Sequence, residues 1–242
     1  MSVELVATTN QLDSGTVPAL FTSPIPTTQM VWLNKAVWSG EPRRSMVGCY
    51  DPDIDILNNP VGVAYQFGIN TSTDFALWGW GGTPIITTPN ASLPTNQWIH
   101  FVYRWDGTNS HLFVNNSIVN TNTNSPQSGD VTHIWVNGYP NSAIVGDDPL
   151  AETSDDFLIS DYRIYTRALS NDEISTIYNL RGKDHIVFGR VGHWVFNEGH
   201  PNSNVSSVRD ISGNENHLAP VTTAPQYRDN VLQVKQDYIT LL

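Results

Sequence analysis

Two tryptophans one residue apart, Trp78 and Trp80, with Gly79, Gly81 and Gly82 around them, are the residues of this chain best suited to recognising a ring-shaped ligand. Alternate residues of a strand project from one face, and glycine neighbours leave room for a pyranose ring to stack on an indole. The same spacing also suits a pair turned inward as core, and the residues alone leave both readings open. Cleaving a glycosidic bond would instead need two carboxyl groups flanking it, about 5–5.5 Å apart for a retaining mechanism. Glu4, Glu41, Glu152, Glu173, Glu198 and Glu215 each fall near a turn, a cap or a chain end. The densest acidic cluster, Asp147 and Asp148 with Asp155 and Asp156, lies in a stretch that reads as loop. A serine hydrolase would need a G-x-S-x-G elbow, and the sequence has none. The expectation is a protein that is not an enzyme.

Metal chemistry fares little better. Asp51, Asp53 and Asp55 alternate like the start of a calcium-binding loop, but no Gly stands at the sixth position and no Glu at the twelfth. That stretch reads as a solvated turn. His100, His111, His133, His185, His193, His200 and His217 show neither H-x3-H nor H-E-x-x-H spacing. Asp210 and the carboxylates of 147–156 are the oxygen donors a structural Ca2+ could use. No cofactor is otherwise expected.

Eight Trp, nine Tyr and eight Phe in 242 residues are ample for one substantial core, while only 14% of residues are charged. The net charge of −11, with twelve scattered basic residues, argues against nucleic acid or an anionic membrane as partner. A single cysteine, Cys49, excludes an intrachain disulfide. No apolar run approaches the roughly 20 residues of a membrane span. The stretch MSVELVATTNQLDSG has neither the basic nor the apolar region of an export signal.

The elements that must position these residues are mostly strands. Residues 30–38, MVWLNKAVW, alternate, and a short strand is expected at Ser45–Tyr50. Val61–Asn70 and Thr73–Trp80 read as a strand pair, and 84–93 and 121–130 as polar loops. In 98–105, Ile99, Phe101, Tyr103 and Trp105 face one way, and Trp98, His100, Val102 and Arg104 the other. Asp106-Gly107 and Asn115-Asn116 are hairpin-turn dipeptides. In 156–179, DFLISDYRIYTRALSNDEISTIYN, an alternating strand runs into one short helix. Ser170 and Glu173 form a capping box, Leu169 and Ile174 a hydrophobic staple, and Ile174, Ile177 and Tyr178 one apolar stripe.

DYRIYTRALSNDEISTIYN resembles the closing segment of LamG-like, concanavalin A-like jelly-roll domains. LPTNQWIHFVYRWDGTNSHLFVNN (93–116) is similar to the double hairpin of that family, with Asn116 where a Gly is usual. HIWVNGY (133–139) resembles the strand before the closing segment. GHWVFNEG and RDISGNENH, within 191–217, resemble the opening of the same domain type, yet here they come last. The resemblance implies an all-β, antiparallel jelly-roll β-sandwich with one short helix, in circularly permuted order. Residues 1–184 would form the sandwich, and 185–242 would supply the family's opening strands and complete it. His100, Trp98 and Trp194 match positions that pack structurally. The glucanase members carry catalytic E-x-D-x-x-E, which is missing here. Their calcium-binding Asp is replaced by Ser160, with Asp161 one place later.

The same resemblance implies a non-enzymatic structural or adhesive module. The lone cysteine and the lack of an export signal, with a tail similar to proteins of tailed bacteriophages, point to a virion surface protein: capsid decoration, fibre or tail. It would be assembled in a host cytoplasm, with other capsid or tail proteins or further copies of itself as partners. The alternatives are a carbohydrate-binding lectin that binds cell-surface glycans through Trp78 and Trp80, extracellular by a signal-independent route, and a glycoside hydrolase of the same fold.

Overall fold

The strand β14 (Phe157–Tyr165) is the spine of the larger sheet. One of its edges pairs with β4 (Thr27–Asn34) along its length. The other changes partner halfway. Phe157–Ile159 pair with β1 (Ser2–Leu5), and Tyr162–Tyr165 with β15 (Arg190–Trp194). A bulge marks the change, with Asp161 in the left-handed region at φ 50°. A bulge inserts a residue and reverses the side-chain phase. Phe157 and Ile159 therefore reach the core before it, and Tyr162 and Ile164 after it.

In this computed structural model the described residues are 2–5, 11–17, 20–38, 44–50, 64–69, 73–78, 84–126, 128–137, 156–181, 183–221 and 223–229. Beyond β4 the eight-stranded sheet continues through β9 (Trp98–Trp105) and β10 (Ser110–Val114) to β11 (Ser117–Asn122). Beyond β1 it ends at β17 (Gln226–Arg228). The facing sheet has seven strands. In order they are β16 (Ala219–Pro220), β2 (Leu12–Asp13), β13 (His133–Val136), β5 (Arg44–Tyr50), β6 (Ala64–Ile69), β7 (Asp74–Trp78) and β8 (Pro84–Pro89). A short ribbon pairs β3 (Phe21–Ser23) with β12 (Gly129–Val131). Every described pairing is antiparallel. The inner faces of both sheets, with Trp194 and Phe196, build one large apolar cluster. This is the antiparallel β-sandwich that the sequence led us to expect, with one α-helix among the described residues.

The β9–β11 region follows its sequence closely. Ile99, Phe101, Tyr103 and Trp105 join the core, and Val102 lies on the other face. Asn115 and Asn116 take φ of 48° and 67°, two positive values in the β10–β11 turn, which asparagine tolerates in place of glycine. Helix α1 (Asn171–Leu180) begins with the Ser170–Glu173 capping box, and Arg181 closes it in the left-handed region. Leu169, Ile174 and Ile177 pack on Met30, Val102, Phe113 and Tyr165, so α1 covers part of the outer face of the eight-stranded sheet. No helix among the described residues is long and apolar enough to cross a membrane.

Two of the expected loops differ. Residues 84–89 form edge strand β8, not a loop; its flanking prolines suit an edge, where no donor is needed on the open side. In 121–130 the loop is shorter, because β11 runs to Asn122 and β12 starts at Gly129. Between the two edges, amides of one sheet bond carbonyls of the other. The Nδ2 groups of Asn122 and Asn124 donate to the Ile85 carbonyl (2.8 and 3.1 Å), and that of Asn120 to the Thr87 carbonyl (2.8 Å).

Candidate functional site

Trp78 is the last residue of β7, opposite Gln66 and Pro84. Its register position continues a row that crosses the seven-stranded sheet through Asp13, Trp135, Gly48 and Gln66. The neighbouring rows hold Val136, Val47, Phe67 and Leu77, all core, so this row lies on the sheet's outer face. At its centre the indole of Trp135 lies over Gly48, where a Cβ would sit 2.9 Å from the ring and collide with the Tyr65 carbonyl. Trp135 Nε1 donates to Ser45 Oγ at 3.0 Å. Trp135 and Gln66 are buried. The side chain of Trp78, and Gly79, Trp80, Gly81 and Gly82 entirely, lie outside the described residues, as do Asp51, Asp53, Asp55, Asp147, Asp148 and Asp155.

A polar layer lies on the outer face of the other sheet. Arg163, fully buried, bonds both oxygens of Asp161 (2.7 and 2.9 Å) and both oxygens of Asp184 (3.0 and 2.9 Å). His193 Nε2 lies 2.8 Å from Asp161 Oδ1. Burial alone would raise the Asp161 carboxyl, but the adjacent Arg163 guanidinium overrides it and holds the group well below the usual carboxylate range. Nearby, His100 stacks on Trp32 at 4.7 Å, and neither of its ring nitrogens has a hydrogen-bond partner. Burial pushes its pKa down to about 3, which keeps the ring neutral. Arg181 caps this stack, 4.5 Å above the Trp32 ring. Asp161 is thus part of a salt-bridged support for β15, while Ser160, which replaces the family's calcium-binding Asp, donates its hydroxyl to the Val195 carbonyl at 3.4 Å.

Asp210 is equally occupied. Its Oδ1 accepts from the His193 and Ser212 amides (2.9 and 2.8 Å), and its Oδ2 from Ser212 Oγ and the Asn216 amide (2.8 and 3.2 Å). Four donors on two oxygens leave no lone pair for a cation. The motif RDISGNENH is a turn that pins β15, with Trp194 Nε1 donating to the Asn216 carbonyl at 2.8 Å. No group of three or more His, Cys, Asp or Glu placed to hold a metal occurs among the described residues. Glu173 bonds Arg167 and the α1 cap, and Glu198 accepts from the Arg209 amide and Tyr227. On β10, His111 lies 3.1 Å from Thr121 Oγ1 and 3.0 Å from Asp106 Oδ2. This has the order of a nucleophile–base–acid relay, but Asp106 also accepts two turn amides, and the three residues brace a surface hairpin.

Sequence reasoning placed Trp98 with the structural residues. It stands half-buried on the outer face, opposite Asn34, with its Nε1 buried and unpartnered, whereas Trp194 is fully in the core. Sequence reasoning also missed a cleft of about 310 Å3 at the ends of β1, β4 and β14, lined by residues that include Glu4, Asn34, Lys35, Asn96, Asp156 and Leu158. The only sequence signal was the polar pair Asn34-Lys35 that ends the buried run of β4.

The sequence family described as the concanavalin A-like lectin/glucanases superfamily matches residues 13–175. No curated protein matches the sequence. Among solved structures, the chain resembles a candidate carbohydrate-binding protein from Bacteroides ovatus, with TM-score 0.62 and 14% identity over 96% of this chain. The chain spans 61% of that protein's length. It also resembles the native heptameric SAP-like pentraxin from Limulus polyphemus, with TM-score 0.55 and 14% identity over 92% of this chain and 94% of the other. At such identities the likeness shows the fold alone.

Proposed function

The chain belongs to the concanavalin A-like lectin/glucanase superfamily, and from that premise we propose that it is a non-enzymatic binding module of the adhesive, lectin type. The observation that carries this reading is the use made of its carboxylates. Among the described residues, Asp161, Glu173, Asp184, Glu198 and Asp210 hold arginines, a histidine, backbone amides or a tyrosine hydroxyl in place. A glycosidase needs one acid and one base free to face a substrate. Glycan binding is supported by the fold's likeness to a protein described as a candidate carbohydrate binder. A glycan array tests this directly. Binding of one glycan class that Trp78→Ala or Trp80→Ala abolishes, with the unfolding transition retained, is the expected result; turnover of β-glucans lost on a single Glu→Gln change would overturn it.

A second reading makes the chain a virion surface component of a tailed phage, joined to capsid or tail proteins or to further copies of itself. The observation that favours it is an exposed apolar tip. Phe188 is 80% exposed and Val187 58%, within the tail that resembles phage proteins. Co-sedimentation with phage particles that free sugars do not reverse would support it, and binding only to glycans would sink it.

A further inference from the structure

The cleft of about 310 Å3 lies on the outer face of the eight-stranded sheet, where β1, β4 and β14 end side by side. Register places Glu4 opposite Leu158, Leu158 opposite Asn34, and Asn34 opposite Trp98. Glu4, Leu158 and Asn34 of this row form its floor, and Lys35, Ala36, Asn96 and Asp156 contribute to its rim.

The polar groups in it are unevenly occupied. Lys35 Nζ donates to the Asp156 carbonyl at 3.2 Å, and the Asn96 amide to the Lys35 carbonyl at 2.8 Å, so the rim is braced. Glu4 uses Oε2 for both of its contacts to Arg228, which neutralises the carboxylate and leaves Oε1 open. Asn34 is only 8% exposed, yet its carboxamide makes no hydrogen bond within the protein. The amide is open to the cleft: neither its oxygen nor its nitrogen is among the buried side-chain atoms that lack a partner. Its neighbours are the apolar side chains of Leu158 and Ala36.

We propose that this cleft is a binding site for a single neutral, hydroxyl-rich unit such as one sugar residue. Hydroxyl groups can donate to Asn34 Oδ1 and Glu4 Oε1 while accepting from Asn34 Nδ2, whereas a simple ammonium can only donate and a fully deprotonated anion can only accept. With Glu4 paired to Arg228, and Lys35 and Asp156 of opposite sign both on the rim, the charges around the site balance. The apolar side chains of Leu158 on the floor and Ala36 on the rim suit the C–H face of a ring, and the volume is at the small end for ligand pockets, where one unit fits. The site is on the opposite sheet from Trp78 and does not depend on that tryptophan.

The test is calorimetric titration of the full chain with methyl glycosides of glucose, galactose, mannose and N-acetylglucosamine, and with inositol. Saturable binding of at least one probe is expected. Asn34→Ala should weaken it about tenfold, the value of one or two lost hydrogen bonds. Leu158→Trp should fill the cleft and abolish it. Trp78→Ala should leave it unchanged, and each variant should keep the parent's unfolding transition. No saturable binding by any probe, or binding that Trp78→Ala removes while Asn34→Ala and Leu158→Trp do not, would overturn the proposal. The latter result would leave the Trp78 reading standing.

Discussion

Along β14 the outer face of the eight-stranded sheet carries polar side chains at both ends, but the two ends provide for them differently. At the C-terminal end Arg163 has five bonds to carboxylate and phenol oxygens, and the neighbouring His193 contacts Asp161. At the N-terminal end Asn34 has none, and Glu4 keeps one oxygen open beside a cleft. The first end engages most of its polar groups with one another, with His193 Nδ1 left buried and unpartnered; the second leaves its groups facing a cleft, where a ligand or water can reach them. The bulge at Asp161 divides the two regions, because there β14 exchanges β1 for β15 as its neighbour.

Removing β15 to β17 would break the comparison altogether. Deleting residues 190–242 takes away Trp194, His193 and the last strand beside β1, and exposes the edge of β14. The truncated chain should be insoluble or lose its cooperative thermal transition; a soluble fragment with an intact transition would show that these strands are an independent arm.

Arg163→Met should be the most damaging point change at the partnered end. It leaves Asp161 and Asp184 buried without their cation, which costs about 3–5 kcal/mol. Asn34→Ala at the other end should cost less than about 1 kcal/mol, since it removes no internal bond. Urea midpoints measured on both variants would decide whether the two ends differ as described.

A smaller effect should appear with pH. Folded His100 stays neutral down to about pH 3, while the unfolded chain takes up that proton near 6.5. The unfolded state therefore binds more protons in this window, and stability should fall by up to a few kcal/mol as pH drops from 6.5 toward 3. His193, lowered by burial, adds to the same slope. The depressed Asp161 carboxyl acts lower, with its contribution present above 3.8 and lost as pH falls through the folded value. In chemical denaturation between pH 7 and 4, His100→Phe should reduce the slope while keeping the stack on Trp32. An unchanged slope would remove His100 from the account.

The parts of the fold legible in the sequence are those whose causes are local. The Ser170–Glu173 cap, the Asn115-Asn116 turn and the alternation of 99–105 each depend on residues within a few positions of one another. Strand β8 was read as a loop because PIITTP is bounded by prolines, and only its place at a sheet edge permits them. The partner change at Asp161 shows in the sequence as apolar residues at 157 and 159 giving way to 162 and 164, but the reason for it, β15, comes some thirty residues later. The cleft was illegible for the same reason. Glu4, Asn34, Asn96 and Asp156 come from four distant stretches, and no spacing relates them.

The asparagine bridges between β11 and β8 limit how copies of this protein can join. Adding a foreign strand to β8 would require the carbonyls of Ile85 and Thr87, which already accept from Asn120, Asn122 and Asn124. A β-sandwich open on both flanks can grow into a filament by handing strands from copy to copy. With these β8 carbonyls engaged, the other flank offers, among the described residues, only the two- and three-residue edge strands β16 and β17 for strand exchange. Larger assemblies would then be joined through faces and loops rather than by strand addition at β8.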